Sequence, residues 1–142
     1  MIAYFDTSAV VPMLISEPAT DLCVRVWREA DDVVTSRLTY VEAGAALAHA
    51  RRTGRVSTEQ HRGGLENLSE LWASFRVVDV DRPLVERAAE VAEDQGLRAY
   101  DAMHGASAEL VASKETVWVS GDQALLAAWS DLGLVTIDVT RT

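Results

Sequence analysis

The first eleven residues, MIAYFDTSAVV (Met1–Val11), frame the reading of the whole chain. Ile2–Phe5 is an apolar run of strand length, and the sequence turns apolar again from Ala9. Between them stands Asp6, a bare carboxylate closing what reads as a buried strand. Ser8 or Thr7 can cap a following helix without it, so capping alone accounts for Asp6 poorly. A parallel sheet gives a better account. In such sheets the residues just beyond the carboxyl ends of the strands form the ligand-binding rim.

The rest of the chain fits that architecture. Further strands are predicted at Val33–Thr35, Arg76–Val80, Val117–Val119 and Leu134–Val139. Helices are predicted at Ala9–Ile15, Ala19–Ala30, Tyr40–Thr53, Thr58–Phe75, Pro83–Gln95, Asp101–Ser113 and Gln123–Leu132. Pro83 falls where a first helical turn tolerates it, and Gly54, Gly96 and Gly133 stand where helices should stop. Gly63-Gly64 weakens the fourth helix and predicts a break there. Strands alternating with helices over 142 residues predict one domain, 1–142. Its expected class is α/β: a three-layer α/β/α sandwich around a central parallel sheet of about five strands.

Composition narrows the function. With 49% hydrophobic and 25% charged residues the chain has the balance of an ordinary globular protein. Its longest apolar run, Ala9–Ile15, is far below the roughly 20 residues of a membrane span, and Asp6 interrupts the start of the chain too early for a secretory leader. No membrane partner is expected. Cys23 is the only cysteine, which excludes an internal disulfide and a cysteine zinc cage. It fits a reducing cytoplasmic setting and a place in a helix core. The net charge of −9 argues against broad electrostatic capture of nucleic acid. Trp27, Trp72, Trp118 and Trp129 each sit in apolar sequence, as core or interface residues do.

Three further carboxylates follow predicted strands or open predicted helices: Glu42, Asp101 and Asp122. Each has a local explanation. Thr39 and Glu42 match a T-x-x-E capping box, and Asp101 and Asp122 suit helix N-termini, where such residues contribute about 0.5–2 kcal/mol. The set says more than its members. A parallel sheet brings all four acids to one rim, where they repel unless a cation lies among them. Oxygen ligands without cysteine or clustered histidine select Mg²⁺, with Mn²⁺ as a substitute. Such a site suits phosphoryl transfer or phosphodiester hydrolysis.

The ordered series FDTSA (Phe5–Ala9), LTYVEAGAAL (Leu38–Leu47), YDAMHGASA (Tyr100–Ala108) and VSGDQALL (Val119–Leu126) resembles the PIN-domain ribonucleases, specifically VapC-type toxins of bacterial toxin–antitoxin pairs. The resemblance covers nearly the whole chain, and YDAMHGASA is its most specific piece. It implies that Asp6, Glu42, Asp101 and Asp122 form a catalytic cluster that binds Mg²⁺ or Mn²⁺ and cleaves RNA. Ser8 matches a small polar position beside the first aspartate, and Ser120 a hydroxyl position usually held by threonine; both would support the site. The implied products carry 5′-phosphate and 3′-hydroxyl ends. The implied partners are an RNA substrate, a VapB-type antitoxin and a second copy of the chain, assembled into a toxin–antitoxin hetero-oligomer.

Arg51, Arg52 and Arg55 form the only dense basic cluster, and Arg98 lies just before Asp101; these are the RNA-contact candidates. Arg51 and Arg52 equally suit the last turn of a helix. His104, one turn after Asp101, reads as a packed or supporting residue rather than a catalytic one. Two rival classes stay open: a Mg²⁺-dependent phosphoaspartyl-type phosphatase, and a PIN-like binding module that does not cut. The first requires a lysine at the end of a later strand, whereas Lys114 precedes its predicted strand.

Overall fold

The computed structural model describes residues 1–141. Five strands form one sheet: β1 (Ile2–Phe5), β2 (Asp32–Ser36), β3 (Arg76–Val78), β4 (Thr116–Ser120) and β5 (Thr136–Asp138). Their order is β3-β2-β1-β4-β5, and every adjacent pair is parallel. The helices are α1 (Thr7–Val10), α2 (Thr20–Glu29), α3 (Leu38–Arg52), α4 (Thr58–Trp72), α5 (Arg82–Gln95), α6 (Ala99–Leu110) and α7 (Gln123–Asp131). This is the α/β/α arrangement predicted from the alternation of strands and helices.

Side-chain alternation along β1 divides the core. Ala3 and Phe5 face one layer, where they meet Ala9 and Val10 of α1, Cys23 and Val26 of α2, Leu47 of α3 and Leu68 of α4. Tyr4 faces the other, against Ala108 of α6 and Leu125, Leu126 and Trp129 of α7. The α5 helix packs on α6 through Leu84, Ala88, Val91, Ala102, Met103 and Ala106. Trp118 and Trp129 are fully buried, and Trp27 and Trp72 pack partly buried against the core, as their apolar settings predict. Cys23 is buried in α2, also as expected.

Local sequence explains most element boundaries. The α5 helix begins where the Asp81 side chain accepts from the Leu84 N–H (3.0 Å), carries Pro83 in its first turn and ends at Gly96 in the left-handed region (φ 64°). The predicted Ala9–Ile15 helix starts earlier, at Thr7, because Asp6 caps it. It then tightens into a 3₁₀ turn at Val11–Met13, where Pro12 supplies no N–H. The break expected at Gly63-Gly64 does not occur, and α4 runs through both residues. Gly64 serves close packing instead: a Cβ there would lie 3.0 Å from Leu47 Cδ2 and 3.3 Å from Ile15 Cγ2.

Strand order reverses about β1, which has β2 on one side and β4 on the other. Phe5 lies level with Val119, so the chain leaves both strands at the same rim. In open α/β sheets that reversal point is where ligands bind.

Candidate active site

Asp6 sits at this rim, only 4% exposed. Its Oδ1 accepts from the Ser8 hydroxyl (2.7 Å) and the Ala9 N–H (3.3 Å), while its Oδ2 accepts from the Ser120 hydroxyl (3.0 Å). The two serines join the strand ends: Ser8 Oγ also accepts from the Gly121 N–H (2.7 Å), and Ser120 Oγ from the Asp122 N–H (2.9 Å). Ser8 and Ser120, expected as supporting residues, thus hold opposite oxygens of Asp6. Burial pushes the Asp6 carboxyl up to about 6 against the opposing pull of His104 and the two hydroxyls.

Glu42 reaches the rim from α3. The capping-box explanation for it fails, because α3 begins at Leu38 and Thr39 is a buried helical residue paired with Thr35 Oγ1 (2.7 Å). Glu42 Oε1 instead accepts from the Thr7 hydroxyl (2.7 Å) and lies 2.7 Å from His104 Nε2. Burial raises its carboxyl, but the hydrogen bond and charge of His104, with Thr7, outweigh that and hold it below the usual range. Asp101 is the third residue of α6 and makes no side-chain hydrogen bond among the described residues. Burial raises its carboxyl, Asp122 and Glu42 raise it further, and His104 and Arg98 pull the other way. Asp122 does cap α7, accepting from the Leu125 N–H (3.0 Å) through Oδ1. That occupies one of its two oxygens.

Glu42, Asp101 and Asp122 line a cleft of about 560 Å³ together with Arg98, Ala99, Tyr100 and Ala124. Asp6 is not among the lining residues, consistent with its burial. Among the described residues, no three His, Cys, Asp or Glu side chains are already gathered around a point that could hold a metal ion. The acids converge as neighbours, and several of their oxygens are spent on hydroxyls, a helix N-terminus or His104.

The arginine candidates separate. Arg98 lines the cleft. Arg51 and Arg52 lie at the far end of α3, roughly 13–15 Å along the helix from Glu42 at 1.5 Å per residue. Arg55 pairs with Glu17 (3.0 Å) and borders a different hollow, beside Gln60 and Asn67. Lys114 precedes β4 at the opposite end of that strand from Ser120. Five strand residues, about 16 Å, therefore separate it from the rim, and the phosphoaspartyl reading lacks its cation.

His104 is packed and supporting, as the sequence predicts, and the sequence leaves two further contributors unmarked. His104 is 2% exposed and bonded to both Tyr4 and Glu42. Thr7 supports Glu42, and Tyr4 supports His104. The three-residue spacing of Asp101 and His104 on one helix face was the available signal for His104. Nothing in a strand as apolar as β1 marked Tyr4.

Comparison with known proteins gives the family and the fold. The sequence pattern of the PIN domain matches residues 3–128. Ribonuclease VapC47 of Mycobacterium tuberculosis (strain CDC 1551 / Oshkosh) is 35% identical over 141 residues, spanning 94% of this chain and 93% of its own. The crystal structure of PAE2754 from Pyrobaculum aerophilum superposes with a TM-score of 0.68 at 28% identity, covering 96% of this chain and 83% of that one. A toxin–antitoxin complex from Klebsiella pneumoniae shares the fold, with a TM-score of 0.67 at 14% identity over 96% of this chain and 97% of that one. With a family pattern that spans most of its length and a full-length ribonuclease relative, the chain belongs to the PIN-domain family, in the group of VapC ribonucleases.

Proposed function

We propose that this protein is a Mg²⁺-dependent endoribonuclease, the toxin of a toxin–antitoxin pair, with Mn²⁺ able to substitute. The observation that supports the reading is that Glu42, Asp101 and Asp122, from three separate elements, line one cleft, while the buried Asp6 is tied to its edge through Ser120, whose Oγ accepts from the Asp122 N–H. Two of these acids resist their own charge: burial raises Asp6, and burial with neighbouring acids raises Asp101, whereas His104 and Thr7 hold Glu42 below the usual range. Such a cluster gains most from a hard cation. The donor set fits one, since it consists of carboxylate and hydroxyl oxygens with no thiolate, and its one imidazole is turned to Tyr4 and Glu42. Glu42 Oε2, Asp122 Oδ2 and both oxygens of Asp101 carry no hydrogen bond among the described residues.

Asp6, Glu42, Asp101 and Asp122 are the residues that would hold the ion. When bound, it supplies Lewis acidity to the scissile phosphate and acidifies the attacking water. The chain's own groups do the rest. Ser8 and Ser120 fix the Asp6 carboxylate, and Arg98 offers the cleft a cation for the RNA backbone. One of these carboxylates would hold or deprotonate the attacking water, and Asp101, whose oxygens carry no hydrogen bond among the described residues, is the one we assign to it. Hydrolysis by water leaves 5′-phosphate and 3′-hydroxyl ends.

The same reading includes control by a VapB-type antitoxin. An acidic cleft invites a cationic plug, and the forked donors of arginine pair two carboxylate oxygens at once. A homodimer bridged by that antitoxin completes the proposal, and light scattering of the protein alone and with its partner tests it.

The decisive assay incubates purified protein with RNA, with and without Mg²⁺ or EDTA, and maps the new ends. Asp6→Asn and Asp101→Asn should each lower cleavage by about 10²-fold or more, equivalent to several kcal/mol of transition-state stabilisation. Wild-type cleavage by either folded variant, or cleavage indifferent to EDTA, overturns the reading.

A further inference from the structure

Beneath the cleft runs a buried chain of hydrogen bonds that the acidic cluster alone does not require. Tyr4 Oη lies 2.9 Å from His104 Nδ1, and His104 Nε2 lies 2.7 Å from Glu42 Oε1. Tyr4 is fully buried and His104 nearly so, and their rings meet edge to face at 6.1 Å. Tyr4 also stands edge to face with Trp129 at 5.9 Å, so it is packed from both sides. From this geometry we infer that His104 is a positioning residue: keyed by Tyr4, it holds the Glu42 carboxylate in the orientation the reaction needs. The inference rests on the ribonuclease reading given above.

The donor logic is strict. An ionised carboxylate only accepts hydrogen bonds, so the His104 Nε2 facing Glu42 must carry a proton. In a neutral imidazole the other nitrogen is then an acceptor, and the Tyr4 hydroxyl is the group that donates to it. The Glu42 carboxylate thereby sets the tautomer, and the Tyr4 hydroxyl, able to donate or accept, satisfies the ring's other nitrogen and holds it in place. A protonated ring would present the same Nε2–H, with Tyr4 as acceptor. Either way the direction of the bond to Glu42 is fixed.

The consequence falls on Glu42. Its side chain has several rotatable bonds and projects from a helix into an open cleft, so it needs an anchor to keep one orientation. His104 and Thr7 both bind Oε1, while Oε2 carries no hydrogen bond among the described residues. One oxygen is tethered and the other is offered to the cleft. Partners that orient a ligating carboxylate in this way commonly change metal affinity or activity by about 10–100-fold.

The test measures Mn²⁺ binding to RNA-free protein by calorimetry, and kcat and KM on an RNA oligonucleotide. The variants are His104→Ala, His104→Gln, Tyr4→Phe, Glu42→Ala and Asp6→Asn, with the doubles His104→Ala/Glu42→Ala and His104→Ala/Tyr4→Phe. His104→Ala should weaken Mn²⁺ binding about tenfold and lower kcat by at least as much, with KM for RNA nearly unchanged. His104→Gln, whose amide can still donate, should recover part of both. Tyr4→Phe should cost about threefold on its own and nothing further in His104→Ala, and His104→Ala should add nothing to Glu42→Ala. If His104→Ala fails to fold, His104→Gln and Tyr4→Phe, each alone and with Glu42→Ala, carry the same comparison. Wild-type Mn²⁺ affinity in folded His104→Ala, no recovery in His104→Gln, or losses that multiply with Glu42→Ala would each overturn the inference. Asp6→Asn separates the two levels. If it abolishes cleavage while the His104 variants are silent, only the positioning role falls; if it too behaves as wild type, the ribonuclease site itself is wrong.

Discussion

Asp6→Asn should stabilise the metal-free protein at neutral pH, even as it removes activity. Burial moves the Asp6 carboxyl from 3.8 to about 6 in the folded state. A rise of that size corresponds to roughly 3 kcal/mol of preference for the neutral form. Because the folded pKa lies above the unfolded one, the folded state loses no stability through this group below pH ~4. The penalty builds as pH rises from about 4 to about 6, and is complete at pH 7. Asparagine is neutral throughout and escapes it. The exchange is not free: Ser8 and Ser120 both donate to the carboxylate, and an amide accepts on only one side. Ser120 must turn to accept from the new NH₂, which costs about 1–1.5 kcal/mol of charge-assisted bonding. A net gain of about 1.5–2 kcal/mol follows, or about 4–8 °C in Tm for a chain of this size. Differential scanning calorimetry in EDTA at pH 7 and pH 4 measures it. No gain at pH 7, or an equal gain at both values, would show that Asp6 carries no buried-charge penalty.

Other expectations follow from separate parts of the fold. Mg²⁺ or Mn²⁺ at about 100 times its Kd should add about 2.7 kcal/mol to wild-type stability and markedly less to Asp6→Asn; an equal rise in both would place the ion elsewhere. Gly64→Ala should lose about 1–3 kcal/mol in a urea titration, because its Cβ meets Leu47 Cδ2 at 3.0 Å, whereas Gly63→Ala meets nothing and should gain up to about 1 kcal/mol. A drop for Gly63→Ala as large as for Gly64→Ala would contradict that packing. Burial pushes the Cys23 thiol up to about 12, so native protein should resist iodoacetamide at pH 8 until denatured, as read by mass shift.

The fold was legible because its local signals agree with one another. Short apolar runs bounded by Gly54, Pro83, Gly96 and Gly133 alternate with amphipathic stretches, and only a covered parallel sheet accommodates that pattern. The errors came where tertiary contact overrode a local rule. A Gly-Gly pair predicts a helix break, yet Gly64 is what lets α4 approach Leu47 of α3, and packing decides the matter. Thr39 and Glu42 have capping-box spacing, but Thr35 draws the Thr39 hydroxyl into the core and the helix begins two residues earlier, at Leu38. Strands β3 and β5 are also shorter than predicted, Arg76–Val78 in place of Arg76–Val80 and Thr136–Asp138 in place of Leu134–Val139, because an apolar run does not mark where ladder pairing stops.

The acids and the residues around them were unequally visible, and the difference is physical. A carboxylate at a strand end is conspicuous because charge is costly where apolar sequence predicts burial. A tyrosine in an apolar strand is not, since its ring satisfies the same pattern as phenylalanine. Only the three-dimensional neighbour gives the Tyr4 hydroxyl a task, and that neighbour, His104, is 100 residues away in sequence. The same holds for Ser8 and Ser120, which lie 112 residues apart yet hold opposite oxygens of one aspartate. An acidic cluster can be inferred from four separate stations along a chain. The network that makes each carboxylate point one way exists only after β1 and β4 pair in register, so orientation is a property of the folded sheet rather than of any one motif.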